Sequence, residues 1–301
     1  MIQTNQSSIE YVSRKSRSFY WPLRLLPKDQ AQAIADLYRF CRIADDWADE
    51  GESTQAREYL LSISQQLKSE SPEHIEVEQA LKLVSDWGVP KDALLYLIQA
   101  ILDDIGPRRI ENEGALIRFC YGVAGVIGLM LCPLLHVRSE RAKAHAIDLG
   151  IAMQLSNISR DVLEDAERER IYIPAAWLPE VNTPQQILEA NTAVATQLKT
   201  AVKGLLALAD RYYQSASFGY RTIPYRSRVP IRIAGAFYRE VGHCMHPQSH
   251  HQFPQPRKPR RLELVSCAMT SLLTPVSSAQ IHDASLHRHL VGLPGVSITS
   301  P

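Results

Sequence analysis

No sign of charge dominates this 301-residue chain: 33 Lys and Arg face 32 Asp and Glu, a formal net charge of +1. A protein built mainly to neutralise nucleic-acid phosphates carries a basic excess, so that class is set aside. Cysteine is sparse. Cys41, Cys120, Cys132, Cys244 and Cys267 are odd in number, scattered and without a C-x-x-C pair, which argues against a disulfide framework and for a reducing, cytoplasmic setting. The opening MIQTNQSSIEYVSRKSRSF lacks the apolar stretch of a signal peptide. The longest run of apolar and small residues, Tyr121 to Leu135, falls short of the roughly 20 residues that a bilayer span needs, so it is expected to be a buried helix. Alternation of β-branched and polar residues is also missing. With 45% apolar residues, the chain can fill a sizeable core, and disorder as its main character is excluded. The expectation is a soluble protein, with peripheral contact at a membrane surface left open.

What remains is helical patterning. Helices are expected near 29–50, 54–69, 74–86, 91–104, 112–136, 140–167, 184–214, 229–246 and 260–273, separated by Gly and Pro punctuation. No repeat or composition shift divides the chain, so residues 1–273 read as one all-α domain and 274–301, rich in Ser, Pro and His, as a mobile tail. The stretch 243–261 reads as a loop. Its His243, Cys244, His246, His250 and His251 fit no zinc spacing well, and its basic run Arg257 to Arg261 is taken as a solvated, phosphate-facing or membrane-facing loop.

The chemistry is most visible in YRFCRIADDWADE. Tyr38, Arg42, Asp45 and Asp49 follow at spacings of four, three and four, which places them on one helical face. Like charges one turn apart repel by a few tenths of a kcal/mol, so they are kept for solvation or for a cation. One such pair is also what a solvated acidic face looks like. A second stripe changes the reading: in AMQLSNISRDVLEDAERERIYIP, Gln154, Asn157, Asp161 and Asp165 fall at i, i+3, i+7 and i+11. Two acidic stripes among apolar neighbours suggest helices facing each other across a cavity. Carboxylates plus one amide form a hard, oxygen-only set suited to Mg²⁺, which binds through a few carboxylates and substrate phosphates. Arg42, Arg160 and one of Arg168 or Arg170 would meet the remaining phosphate charge. A third element, FCYGVAGVIGLMLCPLL, carries Gly122, Ala124, Gly125 and Gly128. Such a stripe admits either a ligand chain or a closely packed helix.

With SRKSRSFYWPLRLLP, LYRFCRIADDWADE, RFCYGVAGVIGLM and LGIAMQLSNISRDVLEDAERERIYIP in this order, the chain resembles the squalene/phytoene synthase family over residues 13–265, with a layout closest to its bacterial phytoene-forming members. The resemblance implies an all-α isoprenoid-synthase fold with a central hydrophobic cavity. It also implies Mg²⁺ (Mn²⁺ as an alternative) held with diphosphate by Asp45, Asp49, Asn157, Asp161 and Asp165. By position, Ser16, Arg17, Ser18 and Phe19 match a flap that closes over a diphosphate. Tyr38, Arg42, Gln154 and Arg160 match residues beside it, and Tyr121, Tyr172 and Tyr238 match tyrosines lining the cavity. Arg257 or Lys258 matches a late basic residue near the phosphates. Ser156 and Ser159 depart from the family's motif at positions that are not ligands.

The implied reaction joins two geranylgeranyl diphosphates through a cyclopropylcarbinyl (prephytoene) diphosphate to phytoene, in carotenoid biosynthesis, with loss of a proton and without NADPH. The alternative of the same chemistry takes farnesyl diphosphate to dehydrosqualene, squalene or hydroxysqualene. A non-catalytic relative kept as a binding or assembly protein would have no need of both aspartate pairs.

Overall fold

The structure, a computed structural model, describes residues 7–243, 260–276 and 282–296. Fourteen α-helices carry it: α1 (Ser8–Lys15), α2 (Arg17–Arg24), α3 (Lys28–Glu50), α4 (Ser53–Ser69), α5 (Ile75–Trp87), α6 (Lys91–Leu102), α7 (Glu113–Cys120), α8 (Val126–Leu134), α9 (Glu140–Arg160), α10 (Val162–Glu167), α11 (Pro184–Leu188), α12 (Thr192–Gly219), α13 (Tyr225–His243) and α14 (Arg261–Leu273). The only strands among the described residues are β1 (Arg108–Arg109) and β2 (Arg170–Ile171), which pair in parallel. The chain is all-α.

Amphipathic stripes dictate the packing. On α12, Leu198, Val202, Leu205, Leu208, Ala209 and Tyr212 recur at helical spacing and are buried, and this helix lies along α9. Each such Leu or Val side chain taken fully out of water contributes about 1.5–3 kcal/mol. On its other side α9 meets α8 at backbone contact. A Cβ on Gly128 would stand 2.1 Å from the Ala146 carbonyl oxygen, and one on Gly150 2.2 Å from that of Ala124. The small-residue stripe is therefore used for helix–helix packing at Gly125 and Gly128, and not for admitting a ligand chain there.

The expected helices exist, with three breaks. The 112–136 helix passes through one π-helical turn, Tyr121–Gly125; its Glu113–Leu134 extent is long and apolar enough to cross a membrane, but 67% of the apolar window is buried in the domain. The 140–167 helix bends at Asp161, whose φ of −97° and ψ of 15° end α9 and start α10. The 184–214 helix is split by residues 189–191 into α11 and α12. Two short helices not expected from the sequence, α1 and α2, occupy the N-terminal segment; Ser7 and Ser16 cap them by accepting from the backbone N–H groups of Glu10 and Phe19.

Residues 282–296 depart from the expected mobile tail. Leu286 and Leu290 are buried, Tyr212 donates its hydroxyl to the Leu286 carbonyl (2.8 Å), and Tyr121 donates to the Pro294 carbonyl. Isolated Leu and His residues in a Ser/Pro-rich stretch show no period, which is why the docking was not legible. The His-rich run beyond His243, with Arg257 and Lys258, lies outside the described residues.

Candidate active site

The two aspartate stripes come together around an arginine. Arg170, on β2, donates to Asp49 Oδ1 (2.5 Å), and Arg168 Nη1 reaches Asp49 Oδ2 (2.9 Å). Arg170 also pulls down the carboxyls of Asp45 and Asp165, so it lies electrostatically between α3 and α10. The short pairing of β1 with β2 positions it. Two residues on from Arg170, Tyr172 stacks on Phe119 (centroids 4.5 Å apart) and donates to Asp104 Oδ2 (2.5 Å). A recess beside the aspartates is lined by Asp165, Arg170 and Tyr172 together with Ile158, Val162 and Ile173.

The carboxylates are not alike. Asp49 is paired with two arginines, and Asp161 is held by its neighbour Arg160, whose Nε lies 2.6 Å from Oδ1. Asp165 has no such partner. Burial, then the charges of Asp161 and Glu164, push its carboxyl up to about 8. Asp45 is crowded by protein although half of its side-chain surface is open; burial and Asp49 raise it to about 6, against the pull of Arg42 at 3.3 Å. Asn157 donates from Nδ2 to Gln154 Oε1 at 3.5 Å, and its buried Oδ1 accepts nothing from the described residues. An orphaned amide oxygen beside under-neutralised carboxylates fits a hard divalent cation, for which Asp45, Asp49, Asn157, Asp161 and Asp165 supply oxygen donors.

At the rim, Ser16 ends α1 and caps α2, and its side chain also hydrogen-bonds Tyr38. Phe19 stacks on Tyr38 (5.2 Å, 18° between planes). Burial first, and Tyr238 next, push the Tyr38 hydroxyl up to about 12, and Tyr238 acts on Arg160 as well. Ser16, Phe19, Tyr38, Tyr238 and Arg160 are thus linked by pairwise interactions into one mouth-side group; the Arg17 and Ser18 side chains lie outside the described ones. Asp46 turns away from the stripe to Lys15 Nζ (2.7 Å) and lies 2.7 Å from Arg42 Nε, close but not aligned for a hydrogen bond. Tyr121 is not brought to this mouth. It is fully buried, edge-on to Tyr96 (5.4 Å) and bonded to Pro294.

A family model for squalene/phytoene synthase matches residues 12–264. This chain belongs to that family. It is a prenyltransferase, similar to the 15-cis-phytoene synthase of Enterobacter agglomerans (32% identical over 240 residues, 75% of this chain and 81% of that one). It is also similar to the phytoene synthase of Thermus thermophilus (38% over 230 residues, 75% and 78%). Among solved structures it matches a dehydrosqualene synthase in complex with ligand (TM-score 0.76, 28% identical, 88% of this chain and 94% of that one). A squalene synthase from Alicyclobacillus acidocaldarius shares the fold (TM-score 0.67, 17% identical, 78% and 92%).

Two parts of this synthase-family site were missed or only half read in the sequence. Asp104 sits in a Gly/Pro-flanked turn with no stripe, yet faces Tyr172 and Arg170, and burial raises it to about 6. Arg168 and Arg170 entered as alternatives for one role, whereas both hold Asp49. The chain's own clue is their spacing: Arg168 lies two residues before β2, Arg170 opens it, and Tyr172 follows its end.

Proposed function

We propose that this protein is a phytoene synthase. It condenses two geranylgeranyl diphosphates head to head to a cyclopropylcarbinyl diphosphate, and rearranges that to phytoene. The observation that carries the reading is the convergence of both aspartate stripes on Arg170, with Asn157 Oδ1 without a hydrogen-bond partner among the described residues and Asp165 left under-neutralised beside it. Similarity to proteins named phytoene synthase supports the C40 choice.

Mg²⁺ held by Asp45, Asp49, Asn157, Asp161 and Asp165 would supply Lewis-acid neutralisation of the diphosphate. Arg160, Arg168 and Arg170 now lie on Asp161 and Asp49; on substrate entry they turn to the diphosphate oxygens and release those carboxylates as ligands. Charge leaving C1 of the first substrate is thereby accepted by fixed cations, and an allylic cation forms. The double bond of the second substrate attacks C1, a proton is lost, and the cyclopropane closes. Loss of the second diphosphate, ring rearrangement and a final proton loss give phytoene, with no hydride required. The ring faces of Phe19, Tyr38 and Tyr172 flank the positive charge, and apolar Ile158, Val162 and Ile173 keep water out.

The product is a hydrocarbon that water cannot carry, and α14 offers an exit surface. Leu262, Val265, Met269 and Leu273 lie at helical spacing and are 52–82% exposed; Trp21 on α2 and Leu25 at its end are exposed as well. Basic residues precede that stripe in the sequence, which suits an anionic membrane surface.

The test is incubation of purified protein with Mg²⁺ and geranylgeranyl or farnesyl diphosphate, without NADPH, with hydrocarbons read by mass. Phytoene from the C20 substrate is the expected result. A C30 hydrocarbon from farnesyl diphosphate would favour the second reading, to which the structural match with a dehydrosqualene synthase lends weight.

A further inference from the structure

On the opposite side of α9 from the aspartate stripe lies a second cluster of ligating groups. Asp148 precedes Asn157 by nine residues, which at 100° per residue is half a turn out of phase and about 13 Å away along the axis. Its side chain is fully buried. His282 and His287, from the docked C-terminal segment, bring Nε2 to 2.9 Å from Asp148 Oδ2 and 2.8 Å from Oδ1. The three ligand atoms lie within 4.8 Å of one another. A tetrahedral zinc ion with bonds of about 2.0–2.1 Å needs ligand atoms roughly 3.3 Å apart, a separation within the span this cluster already has.

Three further features match such a site. The histidines are separated by four residues, within the H-x₃₋₅-H range common in zinc-binding chains. Asp283 accepts from the Ser285 N–H (3.0 Å) and shapes the 3₁₀ turn Ala284–His287 between them. Behind the carboxylate, Ser215 donates to Asp148 Oδ2 (2.5 Å) while its oxygen lies 3.2 Å from His145 Nδ1. That chain fixes the carboxylate's orientation, as outer partners do around metal ligands.

We propose that Asp148, His282 and His287 form a second metal site, for a Zn²⁺-class ion, which staples residues 282–296 to the back of α9. Two imidazoles and one carboxylate suit a borderline transition metal, whereas the oxygen-only set on the front suits Mg²⁺. The fourth position falls to a water. The staple secures a strap that continues through Leu286 on Tyr212, Arg288 beside Glu113 (3.4 Å) and Pro294 on the Tyr121 hydroxyl. Metal occupancy therefore sets how firmly the wall around Tyr121 is held.

The test uses the full-length, chelator-stripped protein in millimolar Mg²⁺, which occupies the front site. Zn²⁺ is titrated calorimetrically, Co²⁺ is followed by the visible absorption of low-coordinate cobalt, and hydrogen exchange is measured across 282–296. One ion per chain is expected, with tetrahedral-type cobalt absorption and slowed exchange of the strap. His282→Ala, at the more exposed ligand, keeps the fold and weakens binding by about 100-fold, and added metal no longer slows its exchange. Asp161→Ala leaves Zn²⁺ binding unchanged. The proposal is overturned if no stoichiometric Zn²⁺ binds in Mg²⁺, if His282→Ala binds as wild type does, or if Asp161→Ala abolishes the binding.

Discussion

Helix α9 and its continuation α10 place carboxylates on two faces, and the two sites are finished differently. At the back, burial alone would lift the Asp148 carboxyl, yet hydrogen bonds from His282 and His287 outweigh it and hold the group below the usual carboxylate range. At the front, Asp165 is raised to about 8 and Asn157 Oδ1 accepts nothing from the described residues. The back is complete without a substrate. The front is left in deficit, and a buried polar deficit persists in a folded protein where something outside the chain relieves it. The contrast separates a carboxylate held by the chain's own histidines from carboxylates that wait for substrate and its metal.

The sharpest way to break that contrast is to remove one member from each face. Asp161→Ala should lower turnover by about 10³-fold while the circular-dichroism spectrum stays wild-type, because the group meets charge that develops during reaction. Retained turnover would move the site elsewhere. Asp148→Ala should do the reverse. It strands Ser215, His282 and His287 without their acceptor, and breaking a buried pair costs about 3–5 kcal/mol. Urea unfolding of the two variants, set beside their Mg²⁺ affinities, reads both effects. A stability loss under about 1 kcal/mol at Asp148 would contradict the view of the back face as structural.

The front face was legible in the sequence and the back was not, for a physical reason. Asp45 with Asp49, and Asn157 with Asp161 and Asp165, repeat at the helical period, so spacing alone aligns them. Asp148 is a lone acid among apolar residues, and its partners come from a stretch with no period, 134 and 139 residues further on. The all-α class and most helix ends followed from composition and Gly/Pro breaks. Arg170 escaped a firm assignment because two residues of strand carry no readable alternation. Helices α1 and α2 are eight residues each, too short for a stripe to stand out, although Ser7 and Ser16 were available as caps.

The two faces stay distinct only while α9 is locked in rotation, and the contact at Gly128 provides the lock. Gly128→Ala places a methyl 2.1 Å from the Ala146 carbonyl oxygen, a backbone atom that cannot swing aside. A loss of about 1–3 kcal/mol is expected in urea unfolding, with a several-fold fall in turnover as Asn157 and Asp161 turn away from α3. Gly122→Ala meets the Ala100 side chain at 2.7 Å, and serves as a control on the same helical segment but away from α9. Equal losses in kcat from both would show that rotation of α9 is not the issue.

The smallest effect is also the most specific to the deficit. If ionised Asp165 is strained without metal, Asp165→Asn should stabilise the metal-free protein at pH 8 while abolishing turnover. The sign follows from linkage: a carboxyl raised from 3.8 to about 8 in the folded state keeps its proton where the unfolded chain has lost it. Stability therefore falls as pH rises through that window, and the penalty is complete above it. Asparagine carries no such charge, so its gain should grow from near zero at pH 4 to at least about 1 kcal/mol at pH 8. Urea midpoints in chelator at the two pH values measure it. Saturating Mg²⁺ should shrink the advantage by stabilising wild type more than the variant. A wild-type chain at least as stable as Asp165→Asn at pH 8 in chelator would mean that the front carboxylates are already neutralised by Arg170, and that the two faces of α9 differ less than their hydrogen bonds suggest.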